Sequence, residues 1–106
     1  RDRDLRVVHR CDLVLPYKAS LVEPEQPPGI RAGFERTLMM LRSLPVDIWL
    51  TSRGIEYGRF RKYEASLKAE DPAAPFIDPD GYRTSLDEAE AAFHRLLAGQ
   101  QQRQRR

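Results

Sequence analysis

Three residues of types that bind zinc lie close together near the start of the chain: His9, Cys11 and Asp12. Imidazole, thiolate and carboxylate groups are common zinc ligands, but a site needs three or four of them converging in space. The only other histidine, His94, is far along the sequence. The alternative interpretation is that Cys11 is a small buried hydrophobic residue and that His9 lies at an edge or on the surface. We therefore expect this chain alone to bind no metal.

A second candidate is Arg53, which follows the apolar segment 46–50 and lies in a loop bracketed by glycines. Its guanidinium stays protonated because the arginine pKa lies above ~12, so it cannot bind a metal. It can instead bind a carboxylate or phosphate through two parallel hydrogen bonds. Loops at the carboxyl ends of strands are where α/β proteins bind ligands. From the residues alone, a solvated loop arginine is slightly favoured over an anion-binding one, and Arg53 becomes the predicted substrate-binding residue only with the family resemblance described below.

Five acidic side chains near the end of the chain could in principle carry out acid–base chemistry: Asp78, Asp80, Asp87, Glu88 and Glu90. Their spacing is not that of a calcium loop. Segment 78–81 has the composition of a tight turn, and segment 85–88 has the S-x-x-E spacing of a capping box that begins a helix. We therefore predict structural roles for all five.

The hydrophobic pattern predicts two strands that must position these residues. The first covers 5–15, with His9 and Cys11 on one face and Asp12 on the other, and it closes at Pro16. The second is the alternating segment 46–51, in which Trp49 is predicted to pack.

Three helices are predicted as well. The first begins at residue 29 or 30 and ends before Pro45, and its apolar stripe is formed by Ile30, Phe34, Leu38 and Leu41. The second covers 57–69, where Tyr57 packs and three apolar residues share one side of the helix: Phe60, Tyr63 and Leu67. The third covers 85–98 and is stopped by Gly99.

Composition limits the possible partners. The chain has 106 residues, of which 41% are hydrophobic and 32% are charged, as expected for a folded domain or part of one. It contains neither an apolar run long enough to span a membrane nor the apolar core of a signal peptide, so we predict no membrane partner and assign no compartment. Outside the tail 99–106, which carries three arginines, the chain has 15 basic and 16 acidic residues. This nearly neutral balance argues against nucleic-acid binding. The tail itself is predicted to be disordered.

Two strands are too few for an independent sheet. We therefore expect them to pair with something outside this sequence. Either another segment of a longer parent protein or a second copy of the chain would serve.

The central block of the sequence resembles the C-terminal part of the third subclass of metallo-β-lactamases. That family shows a helix PGIxxDFxRSFxxLRxLPCDIxL, then a loop xPHGSxFG and a later NPFVDPxGYRxY. The matching residues here are Pro28, Gly29, Ile30, Phe34, Glu35, Arg36, Leu41, Arg42, Leu44, Pro45, Asp47, Ile48, Leu50, Gly54 and Gly58, followed by Pro75, Phe76, Asp78, Pro79, Gly81, Tyr82 and Arg83.

The resemblance implies an α/β fold, with residues 1–98 forming the C-terminal part of an αβ/βα sandwich that would have α+β character as an isolated chain. It also implies zinc in the parent fold and hydrolysis of a β-lactam or a related amide or ester. The HxHxDH motif of the family is absent from these residues, so the chain alone is expected to be inactive. The alternative is a non-catalytic, truncated interaction module that dimerises through open strand edges.

This sequence departs from the family pattern at functional positions. Arg53 stands where the family has its last metal-binding histidine, and Asp12 and Val14 stand where it has two serines. Val46 replaces the cysteine of LPCDI, so the family disulfide is absent. Relatives elsewhere in the superfamily use a metal-bridging aspartate on the corresponding strand, which makes Asp12 the predicted metal ligand.

Overall fold

The computed structural model describes residues 4–10, 13, 15, 18–51 and 57–105. Within these ranges the chain forms two strands, β1 (Val7–Arg10) and β2 (Ile48–Thr51), and three α-helices. The helices are α1 (Ile30–Ser43), α2 (Arg59–Lys68) and α3 (Pro79–Gln104), and a 3-10 helix covers Ala74–Phe76. This composition confirms the predicted α/β class with two strands and three helices. None of these helices combines the length and apolarity that crossing a membrane requires.

The chain divides into two compact units. The first contains the described residues of 4–10, 45–51 and 57–85, and the second contains those of 13–44 and 86–105. Helix α3 contributes its first turns to the first unit and the remainder to the second.

The first unit is built around a parallel pair of strands. Val7 of β1 pairs with Ile48 of β2, and the register continues to Arg10 opposite Thr51. Trp49 and Thr51 on one face of β2 are buried, whereas Val7 and His9 on the other face of β1 are exposed. The sheet is therefore covered on one face, and the predicted packing role of Trp49 is confirmed.

The predicted first strand was too long. Only Val7–Arg10 is a strand among the described residues of 4–15, and Leu13 and Leu15 lie outside it. The physical reason is packing, because Leu15 joins the hydrophobic cluster of the second unit instead of continuing the sheet. Cys11 and Asp12 lie outside the described residues.

A hydrophobic cluster around Leu21, Phe93 and Leu97 forms the core of the second unit. Ile30 and Phe34 of α1 pack against it, and the rings of Phe34 and Phe93 stack with their centres 4.7 Å apart. The other members of the predicted stripe, Leu38 and Leu41, are buried. The predicted inward face of α1 is therefore confirmed.

Helix α3 is longer at both ends than predicted. It begins at Pro79, so segment 78–81 starts a helix and is not an isolated turn. Asp78 Oδ1 accepts a hydrogen bond from the backbone N–H of Gly81 at 3.0 Å, as a residue capping a helix does. The predicted capping box is wrong, because Ser85 lies inside the helix and its hydroxyl donates to the Tyr82 carbonyl.

At its C-terminal end, α3 passes through Gly99 and continues to Gln104, so the prediction that Gly99 stops it is wrong. Residues 99–104 are helical and not a disordered tail. The physical reason lies in two glutamines. Gln100 and Gln104 donate hydrogen bonds to the backbone carbonyls of Ala19 and Glu23, and these contacts hold the last turns of α3 in place.

Helix α2 exposes its apolar side. Phe60, Tyr63 and Leu67, predicted to share one side of the helix, are 65%, 56% and 68% exposed. The buried residue of this helix is Lys62. Its contacts with the aromatic rings and the carboxylate described below determine which face of the helix turns inward.

Candidate functional site at the carboxyl edge of the sheet

Strands β1 and β2 end side by side. Arg10, the last residue of β1, is paired in parallel register with Thr51, the last residue of β2. In the sequence, Asp12 follows Arg10 by two positions and Arg53 follows Thr51 by two positions. Both predicted site residues lie outside the described residues, so their roles stay predictions. The strand ends that precede them in the sequence lie side by side at the carboxyl edge of a parallel sheet, where α/β proteins bind ligands.

A buried lysine lies beneath the covered face of this sheet. The side chain of Lys62 is 2% exposed, and its Nζ lies 3.0 Å from Asp78 Oδ2. The same Nζ lies 5.1 Å from the ring centre of Trp49 and 5.6 Å from that of Tyr57. The ammonium is thus compensated by one carboxylate and by the negative faces of two aromatic rings.

Asp78 connects three elements of the first unit. Its Oδ2 accepts a hydrogen bond from the Trp49 indole N–H at 3.3 Å, while its Oδ1 accepts from Gly81 in the first turn of α3. Partial burial acts to raise the pKa of Asp78, but Lys62 and the Gly81 and Trp49 N–H groups outweigh it and hold the pKa below its ordinary value. The carboxylate is therefore charged at neutral pH, as the buried lysine requires.

A second buried cation lies at the end of β1. The side chain of Arg10 donates a hydrogen bond from Nη2 to Ser85 Oγ at 2.9 Å, and its guanidinium carbon lies 5.6 Å from the Trp49 ring centre. Trp49 also meets the rings of Tyr57 and Tyr82 edge-on, with centres 6.0 and 6.2 Å away. Burial raises the pKa of Tyr82, and the positive charge of Arg10 opposes that effect only in part. Lys62, Arg10 and these three aromatic rings form a rigid support for the strand ends.

The described residues do not form a metal centre. Across 4–10, 13, 15, 18–51 and 57–105, no three histidine, aspartate or glutamate side chains are grouped closely enough to hold an ion. His9 and His94 are both exposed, and His94 lies 3.6 Å from Glu90 Oε2 of the same helix. Within the described part of the chain, the residues therefore do not fit a zinc ion.

Sequence reasoning identified two of the three aromatic residues of this support but missed Tyr82 and the charged residues. Trp49 and Tyr57 are buried, as predicted. Lys62 was missed because the apolar residues of α2 follow the helical period and indicate the opposite face. Asp78 was assigned to a turn, although an aspartate directly before a proline is also the typical start of a helix.

Solved structures with similar folds were found among metallo-β-lactamases. A metallo-β-lactamase with a HARLDQ motif from Cronobacter sakazakii is 25% identical and has a TM-score of 0.78 over 90% of this chain and 37% of its own. The class B3 di-zinc enzyme LRA-12 from an Alaskan soil metagenome is 23% identical, with a TM-score of 0.76 over 91% of this chain and 36% of its own. The Rm3 metallo-β-lactamase is 19% identical, with a TM-score of 0.79 over 94% and 37%. No protein-family model and no curated protein sequence matches the chain.

The chain therefore has the fold of a segment of metallo-β-lactamases, and the predicted resemblance to their C-terminal part is confirmed. It spans little more than a third of the length of these structures, at 37%, 36% and 37% of each. Of these three structures, LRA-12 is described as a di-zinc enzyme.

Proposed function

We propose that this chain is the C-terminal portion of a metal-dependent hydrolase of the metallo-β-lactamase type, acting on a β-lactam or a related amide or ester. The observation that carries the proposal is the strand register. Because Arg10 and Thr51 are paired, the strand ends that precede Asp12 and Arg53 in the sequence lie at the same edge of the sheet. Two neighbouring loops at a carboxyl edge form one wall of a ligand site in α/β proteins.

Arg53 is the residue to which we assign substrate binding. An arginine can hold a substrate carboxylate with two parallel hydrogen bonds, and it stays charged at every physiological pH. Asp12 is assigned to the metal, since a carboxylate is a zinc ligand and an arginine is not. The described residues supply no metal centre, so the remaining ligands would belong to a part of the fold beyond these residues. In such an enzyme a bound zinc ion would supply an activated water.

A structural neighbour supports the idea that cations can occupy ligand positions in this fold. One variant of the Cronobacter sakazakii HARLDQ enzyme carries histidine in place of an arginine, a glutamine and a lysine, and it has a TM-score of 0.78 with this chain. Histidine is the more usual zinc ligand. We propose that Arg53 stands in such a position and has exchanged metal binding for anion binding.

A chimera tests this function. The matching segment of the Cronobacter sakazakii enzyme is replaced by this chain, and the hydrolysis of a chromogenic β-lactam that carries a carboxylate is measured with zinc present. We expect Arg53→Ala to raise KM about tenfold or more, because a charged hydrogen bond contributes roughly 1.5–3 kcal/mol. Arg61→Ala, at an exposed arginine of α2, is the matched control and should leave KM unchanged.

The methyl ester of the same β-lactam separates carboxylate binding from other effects. With this ester, Arg53→Ala should change KM little, since the group that Arg53 binds is gone. A folded chimera that hydrolyses nothing contradicts the hydrolase proposal. An active chimera in which Arg53→Ala affects acid and ester equally contradicts only the role of Arg53.

The alternative proposal is a non-catalytic module that associates through its strands. The observation in its favour is the uncovered face of the sheet, where Val7 is 57% exposed and His9 is also exposed. Such a module would bind either the missing part of the fold or a second copy. Light scattering after gel filtration distinguishes this module from a severed part of the hydrolase. A stable dimer that forms through the strands supports the module, and a poorly soluble monomer supports the severed part.

A further inference from the structure

Helix α2 exposes its apolar side and buries a charged one. Phe60, Tyr63 and Leu67 are each more than half exposed, while Lys62 is the buried residue of the helix. With about 100° of rotation per residue, the three apolar side chains lie roughly 100–160° around the helix from Lys62. Since Lys62 points at Trp49 of β2, this apolar stripe faces away from the sheet.

The direction of the stripe limits what can cover it. In an αβ/βα sandwich the helices are the outer layers, so the side of a helix that faces away from its sheet is the outside of the domain. Completing the sandwich would cover the open face of the sheet but not the stripe. Three large exposed apolar residues on one helix face are a mark of an interaction surface.

The spacing and charges of α2 fit a second copy of the same helix. Phe60, Tyr63 and Leu67 follow the a, d, a positions of a heptad, which places Arg59 at g and Glu64 at e. In a parallel pair of helices, a g residue lies beside the e residue five positions later in the partner, and Arg59 and Glu64 are five positions apart and opposite in charge. Arg59 lies at the rim of the stripe, with its guanidinium carbon 4.8 Å from the Phe60 ring centre.

We propose that the stripe is a self-association surface, on which α2 of one chain packs parallel to α2 of a second copy. Phe60, Tyr63 and Leu67 form the contact, and Arg59 of each copy pairs with Glu64 of the other. The two-fold symmetry makes each charge pair occur twice. This surface is independent of the proposed hydrolase role and differs from pairing through strand edges.

Sedimentation velocity of the full chain over a series of concentrations tests the proposal. We expect a monomer–dimer equilibrium. Leu67→Glu should weaken the dimer about tenfold or more, because it replaces a leucine that the dimer would bury and places two glutamates in contact across the two-fold axis. Met39→Glu is the matched control. Met39 is a similarly exposed apolar residue on α1, at 72% exposure, and its replacement should leave the equilibrium unchanged. Circular dichroism checks that both variants keep their helices.

Charge reversal tests the parallel arrangement. Arg59→Glu and Glu64→Arg should each weaken the dimer, and the double variant should restore it. Four results would overturn the proposal: a monomer at all concentrations, a dimer that survives Leu67→Glu, equal effects of Leu67→Glu and Met39→Glu, or no recovery in the double reversal. Binding of the wild-type chain to phosphatidylserine vesicles without self-association would assign the stripe to a membrane surface instead.

Discussion

Lys62 and Asp78 form an asymmetric ion pair: the Nζ and Oδ2 atoms are 3.0 Å apart, but the lysine side chain is 2% exposed and that of the aspartate is 30% exposed. Water can still reach the carboxylate but not the ammonium. The desolvation penalty of the pair therefore falls mainly on the lysine, and the carboxylate compensates it. This difference in exposure determines which of the two residues costs less stability when it is replaced.

Removing Asp78 should destabilise the fold much more than removing Lys62. Asp78→Ala leaves a buried ammonium without its counter-ion and also removes the cap of α3, so we expect a loss of about 3–5 kcal/mol in the free energy of unfolding. Lys62→Met replaces the charge with an apolar chain of similar length and leaves an aspartate that water can hydrate. We expect a loss of less than about 2 kcal/mol, since the charge that remains is 30% exposed and not buried, so that it avoids the penalty of an unpaired buried ion.

Urea unfolding of the two variants and of the double variant measures this difference. In the double variant, the loss should be smaller than the sum of the single losses. With Lys62 replaced, Asp78→Ala leaves no buried ammonium without a counter-ion. Equal losses in the two single variants would show that the penalty is shared and that the asymmetry in exposure has no energetic consequence.

The stability of the fold should fall at acid pH because of Asp78. Its pKa is lower in the folded state than in the unfolded chain, where it is about 3.9. A group with a lowered folded pKa contributes stability that is fully present above the unfolded pKa and is lost as the pH falls through the folded pKa. We expect unfolding midpoints in urea to be nearly constant from pH 7 to about 5 on this account and to decrease below about pH 4.

Asp78→Asn supplies the control, since the amide keeps a hydrogen-bond acceptor but does not titrate. The difference in unfolding free energy between wild type and this variant should shrink as the pH drops below about 4. A difference that stays constant down to pH 2 would mean that another carboxylate accounts for the acid sensitivity.

Tyr82 should ionise only at unusually high pH. Burial raises its pKa, and a group with a raised folded pKa contributes stability that is present below the unfolded pKa of about 10 and is lost as the pH rises through the folded value. In an absorbance titration near 295 nm, the tyrosine step at unusually high pH should disappear in Tyr82→Phe. A high-pH step that persists in this variant would contradict the assignment to Tyr82.

The local patterns of the chain predicted its elements well and its buried charges poorly. The stripe of Ile30, Phe34, Leu38 and Leu41 identified α1 and its inward face, because an apolar face at the helical period has one way to be buried. For α2 the apolar residues were predicted only to share one side, and contacts of Lys62 with residues distant in sequence determine which side is buried. No local pattern indicates that a lysine will meet Trp49 and Asp78.

The candidate site could be predicted from the sequence only in part. The two strands beside Asp12 and Arg53 were predicted from their hydrophobic pattern, although the first ends at Arg10 and not at Pro16. Their pairing in parallel register is a tertiary fact that the sequence alone cannot give. The roles of Asp12 and Arg53 came from the family resemblance and remain predictions. At the other end of the chain, glycine and repeated glutamines suggested disorder, whereas hydrogen bonds to a distant loop keep α3 helical.

Those hydrogen bonds give the last prediction. The Gln100 side chain accepts from the Leu21 N–H at 2.7 Å and donates to the Ala19 carbonyl at 2.9 Å, next to the buried Leu21. Gln100→Ala should reduce the free energy of unfolding by about 1–3 kcal/mol, because it leaves two backbone groups without partners. It should also increase amide hydrogen exchange in residues 18–23. Gln102→Ala, at an exposed position of the same helix, is the control and should change neither the free energy of unfolding nor the exchange. Equal effects of the two substitutions would mean that helix propensity, and not the contact of Gln100 with the loop, stabilises the end of α3.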